Sequence, residues 1–378
     1  MPTASAHDRA HEAFLATRRF GALDGLRCLA VVPVVWHHAT PRPLDGVLGK
    51  GPLGVDVFFA ISGFLITTLL LRERSEAGRV DVGAFYRRRA ARILPLYYAV
   101  LALTVLRAGL FLPPASPMRA HFFASLPAYA TFTTTWFVDF GVPHPVLFAY
   151  SWSLAVEEQF YAAWPWVVRG WPGARWAWLA WAACLGLAAV SLGADALTAG
   201  LAPPWGAVVA RGLSGVRLPL VLGAALACIL HTPATFRAAR ALFGFRGAPL
   251  VALGLLAGAV LSTGVPLAAT HALVVLLVAT CVVREDHALA PLLALPPLRH
   301  VGEVSYGVYM LHLAALAAVK GALGPARAEV WEGAAVFALG LPLAVGLATA
   351  SHRAFERPLL RRFASRRPEA PSLGRGAG

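Results

Sequence analysis

Apolar runs of about 17–22 residues recur along this chain from residue 22 to residue 352. Each is long enough to cross the ~30 Å hydrocarbon core of a bilayer as a helix. No water in that core can satisfy backbone N–H and C=O groups, so a spanning run has to pair them internally. The runs therefore predict an all-α integral membrane protein. About ten transmembrane helices are expected, over 22–40, 52–71, 93–113, 148–168, 177–193, 212–230, 247–263, 268–283, 302–319 and 330–352. Hydrophobic residues make up 58% of the 378 and charged residues 14%, where soluble domains average about 45–50% and 25%.

The formal net charge of +14 would suit nucleic acid if the basic residues covered one soluble face. They alternate between loops instead. With the N-terminus placed in the cytoplasm, loops on that side hold 24 Lys and Arg and the opposite loops hold 6. This positive-inside bias predicts that both termini are cytoplasmic. Lipid, not nucleic acid, is then the partner of the basic residues. The stretch 117–147 is apolar, but a single crossing there would invert every later loop and reverse the bias. It is expected to be re-entrant or to lie on the outer surface. Three parts follow: a polar cytoplasmic segment at 1–21 with no cleavable signal peptide, a transmembrane domain at 22–358, and a basic tail at 359–378. The tail ends in "ASRRPEAPSLGRGAG", a composition that predicts disorder. Cys28, Cys184, Cys228 and Cys281 all fall inside apolar runs. They form neither a disulfide framework nor a metal-ligand pattern, and read as small buried hydrophobes.

Ionisable residues inside the apolar runs carry the functional signal, because each is costly there unless it faces protein or water. The first run reads "LDGLRCLAVVPVVWHHAT". Arg27 and His38 lie eleven residues apart, which returns to the same helix face after a rise of about 16 Å. His37 points about 100° away. An anion-binding guanidinium and a proton-accepting imidazole on one stripe suit a long ligand with an anionic head. The competing reading has Arg27 snorkelling to the headgroups. Asp56, near the start of the second run, is either functional or a helix-start acid, and the neighbouring Ser62-Gly63 reads as a packing seam.

In "FYRRRAARILPLYY", Arg88 and Arg92 are i, i+4 neighbours. They could clamp phosphate from one helix face, with Arg89 beside them; simple anchoring is the alternative. The fourth run holds Glu157 and Glu158, and a carboxylate at that depth calls for a cation or a catalytic partner. One of the two is expected to work with His38 as orienter to base; a structural pair with Arg27, Arg107 or Arg217 is the alternative. Tyr306, Tyr309 and His312 recur every third residue as a slowly drifting stripe, which is either functional or an aromatic interface belt.

Taken in order, these pieces resemble the membrane-bound acyltransferase family 3. Arg27-x10-His38 looks like its Arg–His pattern, and "GVDVFFAISGFLI" like its second helix. "FYRRRAARILP" is similar to its arginine segment, at Arg88, Arg89 and Arg92. "WSLAVEEQFY" resembles its Trp-Ser-Leu-x-x-Glu motif, at Trp152, Ser153, Leu154 and Glu157, and "SYGVYMLH" and "FERP" fall where its closing motifs do. The resemblance runs over about 20–358. It implies ten helices in the bacterial inner membrane, acetyl-CoA or another acyl-CoA as cosubstrate, and a hydroxyl on a carbohydrate-containing or glycosylated acceptor.

On that footing His38 and Glu157 are the expected catalytic pair, with Glu157 setting the tautomer of the imidazole. Arg27, Arg88, Arg89 and Arg92 would hold the CoA phosphates. Asp56, Trp152, Ser153, Glu158, Tyr306 and His312 are further candidates. No metal is implied. A transporter or flippase for a lipid-linked glycan is the rival class, against which stands the lack of an inverted repeat. Oligomeric state is not legible in the sequence.

Overall fold

The computed structural model describes residues 6–39, 50–170, 176–198, 200, 205–324 and 330–364, and every regular element among them is helical. The chain begins with α1 (Ala6–Ala16), α2 (Gly21–Ala39), α3 (Leu53–Ala77) and α4 (Val82–Phe111). The stretch expected to lie outside forms α5 (Pro117–Ala130) and the single turn α6 (Thr134–Phe137). Next come α7 (Ser151–Arg169), α8 (Trp176–Thr198), α9 (Trp205–Ser214), α10 (Leu218–His231), α11 (Pro233–Phe243), α12 (Ala248–Leu261) and α13 (Leu267–Val283). The last elements are α14 (Ala290–Leu293), α15 (Pro296–Glu303), α16 (Ser305–Leu323) and α17 (Val330–Ser351). A π-turn at His352–Glu356 joins α17 to α18 (Arg357–Ala364), so the expected tail starts as helix; residues 365–378 lie outside the described residues.

Each of the ten expected apolar runs is occupied by a helix. Four helical runs are long and apolar enough to cross a membrane unaided: Leu53–Ala77, Val82–Phe111, Ser305–Leu323 and Gly333–Arg361. The number rises to seven if three bent pairs each count as one span: α1 with α2 at 61°, α9 with α10 at 45°, and α11 with α12 at 72°. Of the remaining runs, α7 falls short because its paired glutamates lower the hydropathy, and α13 because it is 17 residues long. Large side chains such as Leu106, Leu110 and Phe111 on α4 and Leu255 and Leu261 on α12 stand exposed. Patches of that kind are expected where lipid is the solvent.

Small residues set the packing at the centre. A Cβ on Gly63 would stand 1.9 Å from the Leu220 carbonyl oxygen, and one on Gly223 would stand 2.2 Å from that of Ala60. Reciprocal glycines thus bring α3 and α10 backbone to backbone, as membrane helices do when no hydrophobic force joins them. Gly302 of α15 does the same against the Asp24 carbonyl of α2. At one end of the bundle, Arg72 donates to the carbonyls of Phe14 and Thr17 as α1 closes. Arg74 reaches those of Val168 and Arg169 as α7 closes, and Arg240 that of Val283 as α13 closes. Basic residues near helix C-termini satisfy orphan carbonyls there and complement the dipole.

Candidate functional site

A cavity of about 100 Å³ lies where α2, α3, α4, α7 and α16 meet, and its polar lining includes Arg27, Arg89, Arg92 and Glu157. Each comes from a different surrounding. Arg27 sits two turns into α2, where Asp24 one turn earlier accepts its Nη1–H at 3.1 Å. Asp24 is 8% exposed and also takes two hydrogen bonds from Arg19, which continues to Glu303. Arg89 lies over the rings of Tyr161, at 5.1 Å, and Phe85, at 5.9 Å. Glu157 accepts from Ser62 Oγ at 2.9 Å and from Tyr161 Oη at 3.0 Å. Ser153, Ser305, Tyr306 and Tyr309 complete the polar wall. Three guanidiniums in one apolar bundle, offset by two carboxylates, leave a positive excess that favours an anion.

Arg88 does not join this lining. It is 61% exposed and pairs with Glu73 at 3.3 Å. The phosphate-clamping geometry expected of Arg88 with Arg92 is therefore replaced by Arg89 with Arg92, three residues apart. The i, i+4 rule places two side chains on one face without saying which face the bundle covers; α7 and α2 cover the Arg89 face.

His38 lies apart from the cavity. Its Nδ1 stands 2.8 Å from the Val34 carbonyl, and its ring faces that of His312 at 4.9 Å, edge to face. The partnership expected between His38 and Glu157 is absent: both Glu157 oxygens are engaged by Ser62 and Tyr161, at the level of Arg27. His38 is eleven residues, about 16 Å along the axis, beyond Arg27. Arg27 shares the cavity wall with Tyr306 and Tyr309 of α16, and His38 packs against His312 of the same helix.

The remaining candidates divide. Tyr306 lines the cavity and donates to the Ile93 carbonyl at 2.7 Å. Ser153 lines it too and is 2.7 Å from Tyr309 Oη. Tyr309 in turn donates to the Tyr150 carbonyl at 2.9 Å. His312 is fully buried. The Tyr306–Tyr309–His312 stripe thus faces protein, not an interface. Trp152 lies under the Arg217 guanidinium at 4.6 Å and against Phe59, outside the cavity. Asp56 pairs with His271 at 3.4 Å. Glu158 is turned one residue away from Glu157 and keeps a buried Oε1 without a hydrogen bond.

Sequence reasoning left four residues out of the site, Ser305 of the cavity wall among them. Ser62 was expected only in the α3 packing seam, yet it holds Glu157. Tyr161 lies one turn after Glu157, the i, i+4 spacing that brings two side chains together. Asp24 stands one turn before Arg27, a spacing visible in the sequence. No group of three or more potential metal ligands occurs among the described residues.

The model of an acyltransferase domain matches residues 20–352. Among curated relatives, the peptidoglycan O-acetyltransferase OatA of Listeria monocytogenes is 33% identical over 150 residues, which is 38% of this chain and 23% of that protein. The O-acetyltransferase OatA of Staphylococcus aureus is 33% identical over 163 residues, 42% of this chain and 26% of that protein. The matched part of the chain thus spans about a quarter of these relatives' length. No solved structure matches.

Proposed function

The chain belongs to acyltransferase family 3, and from that premise we propose that it moves an acyl group, acetyl foremost, from an acyl-CoA to a hydroxyl of a carbohydrate-containing acceptor. The observation that carries this reading is the cavity in which Arg27, Arg89 and Arg92 converge. A pyrophosphate offers the paired oxygens that guanidiniums engage two at a time. Asp24 and Glu157, each hydrogen-bonded to neighbours, hold the arginines' surroundings in place. The thin pantetheine arm of CoA would pass along α16, by Ser153 and Tyr309, towards His38.

His38 is then the general base. Its Nδ1 faces a carbonyl, which can only accept, so Nδ1 carries the proton and Nε2 keeps its lone pair. That lone pair takes the proton of the acceptor hydroxyl as the oxygen attacks the thioester carbonyl; the C–S bond breaks, and CoA leaves as a thiolate that the imidazolium can reprotonate. The membrane acyltransferase assignment fits a multi-pass protein of a bacterial inner membrane, and the O-acetyltransferase names of the relatives favour a polysaccharide as acceptor.

Purified protein in detergent with isotope-labelled acetyl-CoA tests the reading. Thiol release and label transfer, to a glycan or to water, are the expected results. His38→Ala is expected to lower them about 10²–10⁴-fold, the usual contribution of a positioned base. A protein that leaves the thioester intact with both glycan and water present would overturn the proposal, and the flippase class would regain ground.

A further inference from the structure

His312 is 0% exposed, and its Nε2 has no hydrogen-bond partner. An unpaired polar atom in so buried a place carries a desolvation cost and calls for an explanation. Its Nδ1 lies 2.6 Å from the Tyr309 carbonyl. A carbonyl accepts only, so Nδ1 bears the proton and Nε2 offers a lone pair. His38 is built the same way, with Nδ1 on the Val34 carbonyl. The two rings stand edge to face at 4.9 Å, one on α2 and one on α16. Two backbone carbonyls have thus locked two imidazoles into the same tautomer, each with a basic nitrogen free.

We propose that His312 is a positioning base that acts through His38: its Nε2 accepts the N–H that His38 Nε2 acquires during the reaction. This rests on the reading of His38 as the base that takes the acceptor proton. In the resting pair neither Nε2 has a hydrogen to share, so no bond joins them. Once His38 has the hydroxyl's proton, its new Nε2–H can be shared, as a three-centre bond, between the attacking oxygen and His312 Nε2 across the helix interface. One proton arrives and one hydrogen bond forms; the bond is made with the charged state and not before, which is the condition for an interaction to favour the transition state over the ground state. Tyr309 links this pair to the donor cavity, since its side chain lines that cavity while its carbonyl fixes His312. The titratable and charged groups around the pair are His37 at 5.4 Å from the His38 ring, Tyr150 and Tyr309 at 5.7 Å from the His312 ring, and Lys320 of α16.

The pH profile of thiol release from acetyl-CoA by the 378-residue chain in detergent decides it. The rate should rise with pH as His38 becomes neutral. His312→Phe keeps the volume and removes the acceptor, so protonated His38 loses a charge-assisted bond. The limb is expected to move about one unit to lower pH and the maximal rate to fall roughly tenfold or more. His312→Gln, which restores an acceptor oxygen, should recover part of both. If His312→Phe fails to fold by thermal melt, the Gln variant together with the 15N resonances of His38 through a pH titration reports the same shift. A limb unmoved in a folded variant, with His38→Ala still inactive, overturns the role of His312 and leaves the reading of His38 standing. Activity surviving in His38→Ala overturns the earlier reading instead.

Discussion

At the scale of single residues, the arginine cavity depends on which side chains are held in place and which are spent elsewhere. Asp24 is the residue that holds Arg27, and it is shared with Arg19. Asp24→Asn keeps the shape and removes the charge, so Arg27 loses its fixed position. The expected outcome is a KM for acetyl-CoA raised about tenfold or more, in line with ~1.5–3 kcal/mol for a hydrogen bond to a charged group, with kcat changed less; steady-state kinetics at several donor concentrations read it. The neighbouring arginines give a paired test. Arg92→Gln should raise the donor KM by a similar factor, whereas Arg88→Gln, whose side chain is spent on Glu73 at the surface, should leave it within about twofold, as exposed pairs contribute little. Arg27 and Glu157 were legible in the sequence because a charge inside an apolar run has few structural excuses, and Arg92 by its place in the arginine segment before the third run. Ser62 and Tyr161 were not. A serine beside a glycine and a tyrosine in a helix look like ordinary packing, and only the approach of a neighbouring helix gives them a carboxylate to hold.

At the scale of helices, the apolar runs announced where the elements lie, and all ten runs contain one. What they could not announce was where a run bends, or how a helix that carries two glutamates is accommodated. The α3–α10 seam shows how tightly the arrangement is specified. A methyl on Gly63 would collide with backbone of Leu220, and backbone cannot turn aside as a side chain can. Gly63→Ala is expected to cost at least the ~1–3 kcal/mol of core overpacking and to disturb Ser62, its neighbour and the donor to Glu157. Thermal unfolding in detergent should report a lower melting temperature together with lost activity.

The turn between α3 and α4 offers a second test on this scale. Gly78 closes α3 in a left-handed conformation at φ 70°, and Asp81 opens α4 by accepting the Ala84 N–H at 2.8 Å. That hydrogen bond holds the Asp81 carboxyl below its ordinary range, with Arg87, Arg88 and Arg79 adding to it. A depressed carboxylate contributes stability that is complete above its unfolded value, near 3.9, and is lost as pH falls through the folded value. Asp81→Ala should therefore destabilise at neutral pH by about 0.5–2 kcal/mol. Asp81→Asn, which caps without titrating, should match the native protein there and lose less than it does below about pH 4.

At the scale of the whole molecule, the question is which end of the bundle faces the cytosol. The helix-capping arginines Arg72, Arg74 and Arg240 cluster at the end that the positive-inside rule assigns to the cytoplasm. Arg27 lies nearer that end than the His38–His312 pair does, since it precedes His38 by eleven residues on α2. An acyl-CoA made in the cytosol would then meet the guanidiniums first and present its thioester to the imidazoles further across the membrane. On the proposed reading orientation is part of the mechanism, and it can be tested alone. The four native cysteines are all buried, so they should stay silent to a membrane-impermeant maleimide. Arg79→Cys, exposed in the α3–α4 turn, and Gly141→Cys, exposed after α6, are probes for the two sides. In intact cells stripped of their outer layers, Gly141→Cys should label at once and Arg79→Cys only after lysis. The reverse pattern would put the arginines on the side without acyl-CoA. Labelling of both in sealed cells would mean that these two turns share one face, and that the segment between α4 and α7 crosses the membrane.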